Sequence, residues 1–398
     1  MIPISKRARK IAPSATMAMA AKARQMSARG VDVISFATGE PDFDTPAFIR
    51  DAAKRALDEG LTRYMPGAGT AELKAAICAK LKRDNGLVYS DDEVTVTCGA
   101  KQAIYNALQV IVDDGDEVII PAPYWVSYPE QVRLSGGTPA ILQTSAATGF
   151  KVTPSELSKA IGPRTRAIII NTPSNPTGSA YTGEELAALG KILVDRGVAI
   201  IADEIYERLV YGGFRHTSVA AAYPPARAIT ILVSGVSKAY AMTGWRMGYA
   251  VGPREIIAKM TELSEQQISC IPGFVQKACA AALSGPEDDI RRMGEEFAAR
   301  RDMMIEKIRT IPHLKCHLPE GAFYLLPDVS AYFGKRFGGR EISDATALAE
   351  YLLEEGRIAT VSGDPFGAPG HIRFSYATSR KNIDEGIKRL ADALAKLT

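Results

Sequence analysis

Between about residues 90 and 250 the chain carries seven short apolar runs, EVTVT, DEVIIP, TPAIL, RAIIIN, GVAIIADE, AITILVS and MGYAVG, separated by stretches with helical patterning. A strand with one solvated face alternates apolar and polar residues. These runs are rich in Val and Ile and apolar at both parities, so they read as strands buried on two faces. The pattern predicts an α/β fold with a mainly parallel, seven-stranded sheet between helical layers. In open sheets of this kind ligands bind at the carboxyl ends of the strands, where residues distant in sequence meet.

The chain has 398 residues, too many for one ordinary compact core, so a large domain and a smaller one are expected. After about residue 285 the runs give way to long charged helical patterns, EEFAARRDMMIEKIRT, SDATALAEYLLEEG and KNIDEGIKRLADALAKL, with short strand-like pieces GAFYLLPD and HIRFSYA between them. The expected division is an N-terminal arm over 1–45 that joins the smaller domain, a large domain over 46–285 and a smaller α+β domain over 286–398. Neither an internal repeat nor a low-complexity tract is found.

Lysine and arginine number 48 against 45 acidic residues. That balance argues against nucleic acid or a membrane surface as partner. The cysteines at 78, 98, 270, 279 and 316 are scattered and odd in number, which suits a reducing compartment and places the protein in the cytoplasm. Lys6, Arg7, Arg9, Lys10, Lys22, Arg24 and Arg29 precede the first acid, Asp32. This resembles a transit peptide, but MIPISKRARK lacks an apolar segment and the next stretch reads as a working helix of the mature protein, so no targeting role is assigned. No run approaches the ~18 apolar residues of a membrane span.

Four strand exits carry polar groups. VTVTCGAKQAIYNAL passes from strand through Gly99 directly into a helix, so the amides of Ala100 and Lys101 open an anion-binding terminus; a tight turn that needs glycine explains the same residues. IIINTPSNPTG sets Asn175 in a loop bounded by Pro173, Pro176 and Gly178. In VAIIADEIY, Asp203 ends an apolar run, where a charge is costly unless a cation meets it. Tyr206 follows on the same side if a helix begins there, and Asp203 as a helix cap is the plainer alternative. SGVSKAYAMTGWRMG delivers Lys238 from a buried strand, with Arg246 eight residues later. A partly desolvated lysine beside an arginine favours the neutral amine, which can attack a carbonyl to form a Schiff base. Arg246 stays charged and suits a phosphate.

An aldehyde for Lys238, a phosphate for the 99–101 helix start and Arg246, and a protonated ring nitrogen for Asp203 together describe pyridoxal 5′-phosphate. Trp125, in PAPYWVSY, is placed to cover its ring.

With these residues in hand the chain resembles the class I, fold-type I pyridoxal-phosphate-dependent aminotransferases over nearly its whole length. GVSKAYAMTGWRMG is similar to that family's lysine signature, and NPTG, DEIY, PEGAFY and RFSYA occur in the family's order. The resemblance implies that Lys238 carries the cofactor, Asp203 pairs with its ring nitrogen, Asn175 and Tyr206 bond its ring oxygen, Trp125 stacks on it, and Ala100, Lys101 and Arg246 hold its phosphate. It further implies that Tyr64, in TRYMPGAG, reaches the phosphate of a neighbouring subunit, making the protein a homodimer with shared active sites. Arg373 would grip the substrate α-carboxylate, assisted by Gly39. One departure is Gly235: many relatives place a hydroxyl residue there, three before the lysine, and Ser234 or Ser237 are the candidate substitutes.

PSATMAMAAKA and GAKQAIYN resemble the aspartate aminotransferase branch, in which Thr16 and Lys101 would recognise an acidic side chain; a solvated Lys101 is the alternative. The implied reaction is ping-pong transamination between L-aspartate or glutamate and 2-oxoglutarate or oxaloacetate. Prephenate or broader aromatic specificity is the near alternative, and a cofactor-dependent lyase or decarboxylase a further one. A nicotinamide dehydrogenase fits poorly, because PGAGTAEL has two glycines without the third and follows no strand. A regulatory protein on this fold would need a DNA-binding module, for which 1–45 is too short. His313, Cys316 and His317 are the only hint of a metal site and lack a supporting carboxylate.

Overall fold

The computed structural model describes residues 2–5, 8–11 and 15–398. All seven apolar runs become strands of one sheet. Their spatial order is Val94–Thr97, Gly248–Val251, Thr230–Gly235, Ala199–Asp203, Thr165–Asn171, Glu117–Ala122 and Thr138–Gln143. Gly248–Val251 runs antiparallel to both its neighbours, and the remaining pairs are parallel.

The unbroken apolar runs follow from burial on both faces. Ile119, Ile168, Ile170, Ile200 and Ala202 point to one side and pack on Leu186, Leu189 and Leu193 of helix Gly183–Arg196. Their neighbours Val118, Ile120, Ala167, Ile169 and Ile201 point to the other side, against Ala103, Ile104, Ala107 and Leu108 of helix Gly99–Ile111. Successive side chains on a strand face opposite ways, so two helical layers require apolar residues at every position. Helix Gly183–Arg196 has clear ends: Thr182 and Glu185 form a capping box, and Gly197 closes it at φ +66°.

The C-terminal helices Asp288–Arg309, Ala345–Glu354 and Arg380–Ala395 pack around a three-stranded antiparallel sheet of Val361–Ser362, Ile372–Ser375 and Tyr324–Leu325. The N-terminal arm joins this unit, since Ile34–Ser35 pairs in parallel with Ile358–Ala359 and Phe36 is buried in its core. Helix Asp288–Arg309 serves two cores. Ile290 and Met293 pack with the large sheet's helices, whereas Phe297, Met304, Ile305 and Ile308 belong to the smaller unit. Lys6 and Arg7 of the basic N-terminal stretch lie outside the described residues, as do Pro13 and Ser14; Ala15–Ala28 is helical. Among the described residues no helix is long and apolar enough to cross a membrane.

The sheet's one reversed strand matters for the site. Gly235, at the end of its strand, pairs with Gly248, at the start of the antiparallel one, which in turn pairs with Thr97. Lys238 follows the first and Arg246 precedes the second, so both emerge at the edge where the Asn171 and Asp203 ends lie.

Candidate active site

That edge opens into a cavity of about 320 Å³ between the large sheet and the smaller unit. Thr16, Gly39, Ala100, Lys101, Trp125, Asn175, Asp203, Tyr206, Lys238, Arg246 and Arg373 all line it. Of the cofactor- and substrate-binding residues that the resemblance implies, Tyr64 does not line it; Tyr64 is 86% exposed.

Lys238 Nζ donates to the Gly39 carbonyl at 2.6 Å and lies 5.8 Å from the ring centres of Tyr206 and Phe323. Burial disfavours its ammonium form, and Arg373 and Arg246 add repulsion that Glu40 and Asp203 oppose; its pKa falls to about 8. Near neutrality the amine is therefore within reach of its neutral, nucleophilic form.

Asp203 is 4% exposed. Its Oδ2 accepts from the Tyr128 hydroxyl at 2.6 Å and its Oδ1 from the Ile205 amide at 3.2 Å. Burial pushes its pKa up to about 6 against the pull of these two donors. Residues 205–208 form a turn, not a helix: Asp203 caps that turn through Ile205, and the turn still brings Tyr206 to the cavity. The Tyr206 hydroxyl lies 2.9 Å from that of Tyr324.

Arg373 is 2% exposed and has no carboxylate partner among the described residues. Its Nη1 donates to Asn175 Oδ1 at 3.1 Å and its Nη2 to the Ala37 carbonyl at 2.7 Å, while Nε has no partner. The guanidinium stacks over Tyr324 at 4.6 Å and Phe366 at 5.0 Å. Burial lowers its pKa. A buried cation with a free donor is set up for an anion from outside.

At the opposite end the helix Gly99–Ile111 presents its first amides with no acidic side chain in its first turn. Arg246, exposed and at φ +57°, lays its guanidinium across that start, donating to the carbonyls of Thr243 at 2.9 Å and Cys98 at 3.2 Å. Gly99 sits at φ +77°, and a Cβ there would lie 2.6 Å from Arg246 Nη2, so the glycine serves both backbone and close approach. The Gly235 departure has a steric cause: a Cβ at this position would meet Gly248 Cα and the Met247 carbonyl, each at 2.9 Å. Of the two candidate serines, Ser237 lines the cavity, whereas Ser234 turns away and donates to Glu207.

Lys101 Nζ lies over the Trp125 ring at 4.8 Å, and burial followed by Arg246 lowers its pKa. Lys101 is exposed as a whole residue, with its ammonium directed over the indole on the cavity wall. Thr16, from helix Ala15–Ala28, faces the same space.

Tyr128 and Tyr324 were missed as site residues. Both lie in quoted motifs, PAPYWVSY and PEGAFY, and Tyr128 follows Trp125 at helical spacing, a signal that both face one way. Also unforeseen is a buried polar cluster behind Asp203. Lys80 pairs with Glu207 at 2.5 Å, Asn85 donates to Glu207 at 2.8 Å, and His216 Nε2 lies 3.0 Å from Glu204. Burial opposes the Glu207 charge, but Lys80 and His216 overcome it and hold the carboxyl at about 2. Glu204, Glu207 and His216 are the single three-residue group among the described residues with metal-ligand spacing, and within it Lys80 already pairs with Glu207 and His216 faces Glu204. His313, Cys316 and His317 do not converge: His313 is exposed, Cys316 Sγ donates to the His317 carbonyl, and His317 faces Glu320 at 3.6 Å.

A flat group with a protonated nitrogen at one end and an anion at the other fits this cavity. The buried Asp203 carboxylate makes no ion pair among the described residues, Arg246 and the first amides of helix Gly99–Ile111 offer donors to an anion, and Lys238 lines the same cavity. The family model described as "Aminotransferase class I and II" matches residues 31–390. The chain is 47% identical over 387 residues to an aspartate aminotransferase of Geobacillus stearothermophilus, covering 97% of this chain and 98% of that one. It is also 47% identical over 391 residues to an aspartate/prephenate aminotransferase of Cereibacter sphaeroides, with 98% of each covered. Among solved structures, the aspartate aminotransferase of Rhizobium meliloti superposes with a TM-score of 0.97 at 42% identity over 100% of both chains. That of Thermus thermophilus with maleate gives 0.93 at 42% identity, over 99% of this chain and 100% of the other.

Proposed function

Since this chain belongs to the class I and II aminotransferases and is an enzyme of that kind, we propose that it moves an amino group between L-aspartate or glutamate and 2-oxoglutarate or oxaloacetate, with pyridoxal 5′-phosphate held on Lys238. The observation that carries the reading is the meeting, in one cavity, of a half-buried lysine whose pKa is lowered to about 8 and a buried carboxylate that makes no ion pair among the described residues. Carried on the lysine, the cofactor supplies an electron sink for charge developing at the substrate α-carbon.

The chain's own groups have the following parts. Asp203, kept ionised by Tyr128 and the Ile205 amide, holds a proton on the ring nitrogen. Tyr206 and Asn175 donate to the ring oxygen; Asn175 gives its carbonyl to Arg373, so its amide end is the one that can donate. Trp125 covers the ring. The Ala100 and Lys101 amides, Arg246 and Ser237 hold the phosphate. Arg373 takes the α-carboxylate, with Nε free to join. Lys238 Nζ, oriented by the Gly39 carbonyl, would take the substrate α-proton and return it as the general base and acid of the site.

Substrate class rests on Lys101 and Thr16, which would meet a side-chain carboxylate. Maleate, the ligand of the Thermus thermophilus structure, is itself a dicarboxylate and supports this assignment. Prephenate is a second acceptor to test, because the relative named aspartate/prephenate aminotransferase is 47% identical, the same as the one named aspartate aminotransferase. The division at 45/46 and 285/286, a cytoplasmic homodimer, and Tyr64 reaching the partner's phosphate complete the proposal; the exposure of Tyr64 supports the last point.

The test is spectroscopic. Purified protein should show a visible band that aspartate or glutamate bleaches, with an oxo acid formed in stoichiometric amount, and Lys238→Ala should lack it. An NADH-dependent signal without that band, or release of ammonia or carbon dioxide, would overturn the assignment.

A further inference from the structure

Tyr324 is fully buried and stands between two groups assigned to the reaction. Its hydroxyl lies 2.9 Å from that of Tyr206, and its ring carries the Arg373 guanidinium at 4.6 Å. It comes from the smaller unit, on strand Tyr324–Leu325, whereas Tyr206 belongs to the turn after Asp203. A Cβ on Gly39 would lie 2.9 Å from the Tyr324 hydroxyl, so that oxygen is confined between Gly39 and Tyr206.

A phenol has one proton to give. In the reading above Tyr206 gives it to the cofactor's ring oxygen, which leaves Tyr206 only as an acceptor toward Tyr324. The bond between the two hydroxyls then has a single polarity. Burial raises both phenols above their ordinary range, and the charged groups facing the pair are Arg373 and, on the Tyr206 side, Asp203 and Lys238, whose Nζ lies 5.8 Å from the Tyr206 ring centre; both phenols therefore keep their protons near neutrality.

We propose that Tyr324 is a positioning residue that donates to the Tyr206 hydroxyl, orienting and polarising Tyr206 as a donor to the cofactor. Donors in series strengthen one another, so the ring oxygen is less basic with Tyr324 in place.

The inference rests on the proposed cofactor and is tested on the holoenzyme by titrating the visible band of the cofactor with pH, in the absence of substrate. Tyr324→Phe keeps the ring and its Arg373 stack and removes one oxygen, so it folds with the same packing. Its band should titrate about 0.2–0.7 pH unit higher, as a weaker donor leaves the ring oxygen more basic. Tyr206→Phe should shift it further, and Tyr324→Phe added to Tyr206→Phe should change nothing. An unmoved midpoint in Tyr324→Phe, or an equal shift in both backgrounds, overturns the inference. Absence of any visible band in the native protein is a different result and removes the proposed function itself.

Discussion

Removing one oxygen from Tyr128 should move the acid limb of cofactor binding. Asp203 has two donors, the Tyr128 hydroxyl at 2.6 Å and the Ile205 amide at 3.2 Å, and no ion pair among the described residues, and burial already raises its carboxyl to about 6. Tyr128→Phe deletes the shorter bond and keeps the ring in its contact with Trp125, at 5.4 Å between centres. A hydrogen bond to a charged group contributes about 1.5–3 kcal/mol, and about 1.4 kcal/mol corresponds to one pKa unit. The anion loses stability relative to the acid, so the pKa rises, to about 7–8. At pH 7 the native carboxyl is about nine-tenths ionised and that of the variant about half or less. Only the ionised form can hold a protonated ring nitrogen. The affinity of the apoprotein for pyridoxal phosphate, measured by absorbance between pH 5.5 and 8.5, should therefore begin to fall about 1–2 units earlier in the variant, with the alkaline side unchanged. An acid limb in the same place, or one moved downward, would refute the assignment of Tyr128 as the group that keeps Asp203 charged.

Arg373→Lys should raise KM for the amino acid by about 30-fold or more, because a point charge replaces a fork in a buried site; steady-state kinetics with aspartate check it. Lys101→Ala should weaken dicarboxylic substrates by about tenfold and leave monocarboxylic amino acids nearly unchanged, and an unaltered preference would sink the acidic-substrate reading. Lys80→Ala leaves Glu207 buried and unpaired, at a cost of about 3–5 kcal/mol, seen as a lower Tm. The native Glu207 carboxyl sits at about 2, below its unfolded range of about 4.3. Its stabilisation is complete above that unfolded value and disappears as pH falls toward 2. Thermal denaturation of the native protein from pH 6 to 3 should therefore lose part of the Lys80 contribution.

Much of the architecture was written in short-range pattern. Ile168, Ile169 and Ile170 are consecutive because two helical layers cover one strand, and such a run has few other solutions in water. The positions of Asp203 and Lys238 were equally legible, since a charge directly after an apolar run must emerge at a strand end. Local rules were less informative where the chain bends. Tyr206 was tied to a helix on the far side of Asp203, and the structure has a turn over 205–208 there instead.

Sequence alone determined which residue types could serve an aldehyde, a ring nitrogen and an anion, because charge and nucleophilicity are properties of the side chain itself. Tertiary structure decided their partners: Tyr128 on Asp203, Tyr324 on Tyr206, Asn175 on Arg373, Lys101 on Trp125. It also decided that Gly235 has no room for a hydroxyl, since the obstructing atoms belong to the facing strand at Gly248 and Met247. The physical reason is range: strand burial is felt within a few residues, whereas a hydrogen bond joins groups such as Asn175 and Arg373, 198 positions apart, whose meeting depends on how the whole sheet is wound.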